Sequence, residues 1–96
     1  MTETDTDTLS AEALVEMNPM YLLRWEPSQD AHVLLYPEGV VKLNETAGEI
    51  LTYCTGERSV AEIAAAIDAG YGDDVRERVL NFLEVAYAKG WIRTKS

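Results

Sequence analysis

Apolar and polar positions change rhythm along the chain. After Pro19 come short apolar runs, Tyr21-Leu22-Leu23-Arg24-Trp25, His32-Val33-Leu34-Leu35-Tyr36 and Val40-Val41-Lys42-Leu43. Runs this short, rich in β-branched and aromatic residues and bounded by turn residues, predict strands. Glu26 to Asp30 carries turn chemistry. In Tyr36-Pro37-Glu38-Gly39, proline fits the second position of a type I turn and glycine the fourth. The expected product is a three-stranded antiparallel meander, which needs cover on one face.

From Asn44 the period lengthens. Ala47, Ile50, Leu51 and Cys54 recur at helical spacing, with Asn44 as N-cap and Gly56 as stop. Ser59-Val60-Ala61-Glu62 is a capping box ahead of Ile63, Ala64 and Ile67, with Gly70 as stop. Asp74-Val75-Arg76-Glu77 opens a third helix that runs to Lys89 and ends at Gly90. Trp91 and Ile92 form a short apolar exit. The fold class expected is α+β and winged-helix-like, a three-stranded antiparallel β-meander followed by three α-helices.

Residues 1–18 read differently. They hold Glu3, Asp5, Asp7, Glu12 and Glu16 and no basic residue. The Thr/Asp alternation from Thr2 to Thr8 has no apolar period and predicts disorder. Ser10 can cap a short helix reaching Met17. The expected organisation is an acidic tail over residues 1–18, a domain over 19–92 and a frayed end over 93–96.

Charge and composition narrow the function. The 96 residues leave no room for a second domain, and the formal charge is −9. That sign disfavours nucleic acid, whose binding rests on neutralising phosphates, and it disfavours anionic membranes. No apolar run reaches the length of a membrane span, and the acidic start is unlike a signal peptide, so a cytoplasmic protein is expected. The single cysteine, Cys54, excludes an internal disulfide and any cysteine-based zinc site. Cys54 and the lone histidine, His32, are formally available as a nucleophilic pair, but Cys54 lies in an apolar stripe and His32 in a strand. The glycines are scattered, so no phosphate loop exists. No nucleophile–base constellation stands out. A non-enzyme with no metal and no cofactor is expected.

Two surfaces look incomplete. The last strand before the helices, Val40 to Leu43, offers an edge guarded only by Lys42. The third helix is apolar over more than the roughly 100° that one small core needs. Val75, Val79, Phe82 and Ala86 cluster, and Leu80, Leu83 and Tyr87 extend the surface. Either the first two helices share that wide face, or part of it walls a groove beside the last strand. In such a groove an extended peptide would pair with the strand and set side chains against the helix. Lys42, Arg76 and Arg78 beside it would suit an acidic peptide.

The stretch Leu34-Leu35-Tyr36-Pro37-Glu38-Gly39-Val40-Val41-Lys42-Leu43-Asn44-Glu45 resembles the PqqD family of pyrroloquinoline quinone (PQQ) biosynthesis. Arg24-Trp25, Ile50-Leu51, Cys54, Gly56-Glu57, Val60-Ala61-Glu62-Ile63, Phe82-Leu83 and Gly90-Trp91 extend the likeness over about Met20 to Ile92. The acidic tail is not part of the pattern. The resemblance implies a peptide chaperone, a RiPP recognition element that binds the ribosomal precursor peptide PqqA. It implies presentation of that peptide to the radical S-adenosylmethionine enzyme PqqE. It further implies that the peptide adds beside the third strand, at Gly39, Val40, Val41, Lys42 and Leu43. The helical wall would be Val75, Arg76, Val79, Leu80 and Leu83, with Tyr87 less firmly placed. The alternative is a small winged-helix DNA-binding regulator, which the acidic balance disfavours. A monomer is the expected working form, with self-pairing through the edge strand at high concentration.

Overall fold

The computed structural model describes residues 9–71 and 75–95. In chain order the elements are β1 (Leu14–Met17), β2 (Leu22–Glu26), β3 (Ala31–Tyr36), β4 (Gly39–Lys42), α1 (Glu45–Thr52), β5 (Thr55–Ser59), α2 (Val60–Tyr71), α3 (Arg76–Ala88) and β6 (Ile92–Thr94). The expected meander is one sheet, in the order β2-β3-β4. Tyr36 stands opposite Gly39, so Pro37 and Glu38 alone make the turn, and neither has a positive φ. The β2–β3 turn instead places Asp30 at φ 53°, a left-handed conformation that Asp tolerates better than most residues.

A second sheet, in the order β5-β1-β6, departs from the sequence reading. Residues 14–17 form its central strand, where a short helix within an acidic tail was expected. Pairing with strands far along the chain overrides the Ser10 cap signal. Leu9 and Val15 are both buried in the core. Of the tail expected over residues 1–18, residues 1–8 lie outside the described residues. The C-terminal segment likewise pairs rather than frays as far as it is described. Val15 stands opposite Thr94, and the Lys95 N–H donates to the Leu14 carbonyl at 2.8 Å. Gly56 does not stop α1, which ends at Thr52 with Tyr53 as C-cap. It lies within β5 at φ +89°, where the β1–β5 register shifts between Leu14 and Glu16. A glycine at positive φ in a strand is the signature of a bulge.

The helix boundaries follow their caps. The Asn44 side chain accepts from the Ala47 N–H at 2.7 Å. Ser59 Oγ accepts from the Glu62 N–H, and Glu62 Oε1 accepts in return from the Ser59 N–H. Asp74, expected to open the third helix, lies outside the described residues. The α3 N-cap is Val75, whose N–H donates to Asp68 Oδ1 at 2.9 Å. Gly90, at φ +82°, ends α3: its N–H reaches the Tyr87 carbonyl and the Trp91 N–H reaches Ala86. That reciprocal pair satisfies two carbonyls the helix end would leave open. The core joins both sheets to the helices through Val15, Leu34, Ile50, Leu51, Ile63, Ile67, Val79, Leu83 and Ile92.

Candidate functional site

The edge of β4 can be read bond by bond. The Leu43 N–H donates to the His32 carbonyl at 3.0 Å, and the register runs Val33 opposite Lys42, Leu34 opposite Val41 and Tyr36 opposite Gly39. Hydrogen-bonded pairs alternate along an antiparallel ladder. Gly39, Val41 and Leu43 therefore bond inward to β3, and the N–H and C=O groups of Val40 and Lys42 face away from it. No described strand pairs with that side. Side chains alternate too. Val41 and Leu43 turn toward the helices, and Val40 and Lys42 lie on the outer face of the sheet, where Val40 is 59% exposed.

Beyond the end of β4 a cavity of about 300 Å³ opens between α1 and α3. Asn44, Thr46, Ala47 and Ile50 line one side, Val75, Arg78, Val79 and Phe82 the other, and Tyr71 closes one end. Tyr71 is held there by its hydroxyl, which donates to Glu49 Oε1 at 3.3 Å and lies 3.2 Å from Thr46 Oγ1. Phe82 continues toward Trp91, with ring centroids 6.3 Å apart, and Lys89 Nζ lies 5.9 Å from the Trp91 ring centre.

The phase of α3 decides which residues flank this cavity. At about 100° per residue, Val75, Phe82, Lys89, Arg78 and Val85 fall on one side of Val79, and Leu83, Arg76, Tyr87 and Leu80 on the other. The cavity lies on the Arg78–Phe82 side. Of the helical wall expected from sequence, Val75 and Val79 border it, but Val79 and Leu83 have no accessible surface. Leu80 and Tyr87 are half-buried against the core, and Arg76 is exposed on the far flank. Arg78 was expected beside the groove as a basic residue. Phe82 was assigned to the apolar cluster and not to the wall. A stripe this wide cannot say which of its edges is open; only the docking of α1 and α2 does.

The two reactive side chains serve packing. Cys54 is buried, burial pushes its thiol from 9.0 up to about 12, and its Sγ lies 3.5 Å from the Ile50 carbonyl. His32 stacks edge-on with Trp25, ring centroids 5.1 Å apart, and lies against Gly48 of α1. Among the described residues no cluster of His, Cys, Asp or Glu could hold a metal ion, and no helix is long and apolar enough to cross a membrane.

Similarity to known proteins agrees with this architecture. The family described as coenzyme PQQ synthesis protein D (PqqD) matches residues 31–92. A protein of Azotobacter vinelandii named PqqA binding protein is 50% identical over 74 residues, covering 75% of this chain and 80% of its own. One of the same name from Methylococcus capsulatus is 37% identical over 87 residues, covering 90% and 94%. The fold resembles the solution structure of a PqqD truncation of Methylobacterium extorquens PqqCD, described as a stand-alone RiPP recognition element. The TM-score is 0.74 at 22% identity, over 94% of this chain and 99% of that one.

Proposed function

The chain belongs to the PqqD family of coenzyme PQQ synthesis, and from that premise we propose that it binds a PqqA-type precursor peptide by strand addition to β4. The observation that carries the reading is the unpaired Val40–Lys42 edge together with the cavity that opens past its end, at Asn44, and is walled by Arg78 and Phe82. A peptide strand on that edge places every second side chain on the sheet face turned toward the helices. Arg78 offers an acidic side chain a charged hydrogen-bond partner, and Phe82 offers an apolar one a surface. Gly39 to Leu43 remain the strand side of the groove. On α3 the contacts fall to Val75, Arg78 and Phe82, with Val79 and Leu83 holding the helix in place from the core. The role is delivery rather than catalysis: the bound peptide is presented to the radical S-adenosylmethionine enzyme PqqE. The DNA-binding alternative gains no support, since Arg76 and Arg78 on the exposed side of α3 are offset there by Glu77 and Glu84, in a chain of formal charge −9.

An amide chemical-shift titration with a synthetic PqqA-type peptide tests the site. The expected shifts concentrate on Val40, Lys42, Asn44, Arg78 and Phe82. Arg78→Glu should weaken binding about tenfold, the scale of a lost charged hydrogen bond plus repulsion, while Arg76→Glu changes it little. Saturating shifts elsewhere, or equal effects of the two substitutions, would refute the groove. Presentation is read separately, by whether peptide-loaded protein co-elutes with PqqE.

A further inference from the structure

A second concavity among the described residues is larger than the proposed peptide groove. It measures about 440 Å³ and lies between the β2–β3 hairpin and the opposite side of α1, lined by Trp25, Asp30, His32, Glu45, Glu49 and Thr52 among others. Glu45, Glu49 and Thr52 recur at i, i+4 and i+7 and share one face of α1. Ala47 and Ile50, which line the groove, lie about 140–160° around the helix from Glu45. The two cavities therefore open on different sides of α1, and Glu49, whose Oε1 accepts from the Tyr71 hydroxyl, stands between them.

The chemistry of this cavity is one-sided. Three carboxylates line it, and no Lys or Arg does. The nearest base in sequence, Arg24, alternates to the other face of the sheet and pairs there with Glu26 at 3.3 Å. Asp30 is held at the rim by its left-handed backbone. Within the same wall Trp25 is 49% exposed, with its ring braced edge-on by His32. An exposed indole beside uncompensated carboxylates presents a π-face and charged acceptors to one incoming group. A planar cation satisfies both at once, stacking on the ring and donating in the plane to carboxylate oxygens.

We infer that this cavity is a second docking site, which receives an arginine side chain displayed by a protein partner. It stands independently of the peptide groove. The guanidinium lies against Trp25, and Glu45, Glu49 and Asp30 accept its hydrogen bonds. The partner then joins the domain through the hairpin–α1 side while a peptide occupies the β4–α3 side.

The probe is a capped arginine, N-acetyl-arginine amide, titrated into the isotope-labelled full chain, with N-acetyl-citrulline amide as its neutral isostere. The expected result is a saturable shift of the Trp25 indole N–H and of the Glu45, Glu49 and Thr52 amides with arginine only. The indole signal is assigned by loss in Trp25→Leu. Glu45→Gln with Glu49→Gln should weaken arginine binding about tenfold, the sum of two exposed ion pairs within their usual range. Glu77→Gln with Glu84→Gln removes the same charge from exposed positions on α3 and should leave binding unchanged. An equal response to citrulline overturns the site. So does an equal loss in both charge pairs, which would reduce the effect to the net charge of the protein. Absence of any shift at the indole at tens of millimolar arginine overturns it as well.

Discussion

At Gly48 a hydrogen stands where any other residue would put a carbon into His32. A Cβ there would lie 2.6 Å from His32 Nδ1 and 2.9 Å from His32 Cβ and Cγ. Helix propensity alone predicts that Gly48→Ala stabilises α1 by about 1 kcal/mol. Overpacking between a helix and a strand costs about 1–3 kcal/mol and should win. The expected outcome is a lowered urea midpoint. Adding His32→Ala restores stability only in part, because the contact with its Cβ remains. Cys54 makes a prediction of opposite character, since nothing needs to be changed to see it. Burial holds its thiol protonated to about 12, whereas the unfolded chain releases that proton near 9.0. Between those values the unfolded state binds fewer protons, so this group's contribution to stability is whole below 9.0 and is lost as pH rises toward 12. Cys54→Ala should flatten that part of the pH–stability curve. At about pH 8 a thiol reagent should label the native protein far more slowly than the urea-unfolded chain.

The bond pattern of β4 assigns different roles to neighbouring residues. Val41 donates inward to β3 and Val40 does not. Val40→Pro should therefore leave the fold intact and weaken peptide binding about fivefold, the net value of one hydrogen bond. Val41→Pro should instead break the ladder opposite Leu34 and lower the melting temperature. Circular-dichroism melts and a peptide titration on both variants separate the two effects, and a reversed pattern would mean the edge has been read in the wrong register. The meander and α2 were legible because each carries its own local signal: a two-residue turn at Pro37-Glu38, and reciprocal caps at Ser59 and Glu62. β5 carries none. Thr55, Glu57 and Arg58 are exposed and Gly56 bulges, so the strand exists only because β1 lies beside it. The candidate site divides in the same way. Its strand half was readable from the edge position of Val40 to Leu43. Its helical half was not, because the orientation of α3 is set by contacts with α2 that leave no trace in its own periodicity.

Across the whole molecule, the long-range pairing of β1 ties both ends of the chain to the helical layer. β1 stands between β5 and β6, with Leu14 opposite Ser59 and Met17 opposite Ile92. Glu16 bonds Arg93 at 2.8 Å, and the Asn18 side chain donates at 2.8 Å to the carbonyl of Gly90, the residue that ends α3. Composition makes residues 1–18 look dispensable; the pairing makes the last part of them structural. Val15, with no accessible surface, alone contributes about 1.5–3 kcal/mol of burial. Removing β1 also leaves β5 and β6 without their shared partner. For a domain of this size, whose total stability is on the order of 5–10 kcal/mol, those losses approach the whole. A truncation that begins at Asn18 should therefore lose cooperative unfolding and native chemical-shift dispersion, although it retains β2, β3, β4 and every residue of the proposed groove. Glu16→Gln, which removes only the exposed ion pair, should cost less than about 1 kcal/mol. A truncated chain that melts cooperatively and binds peptide as the full chain does would show that the second sheet is an appendage, and that the meander and helices form a sufficient unit by themselves.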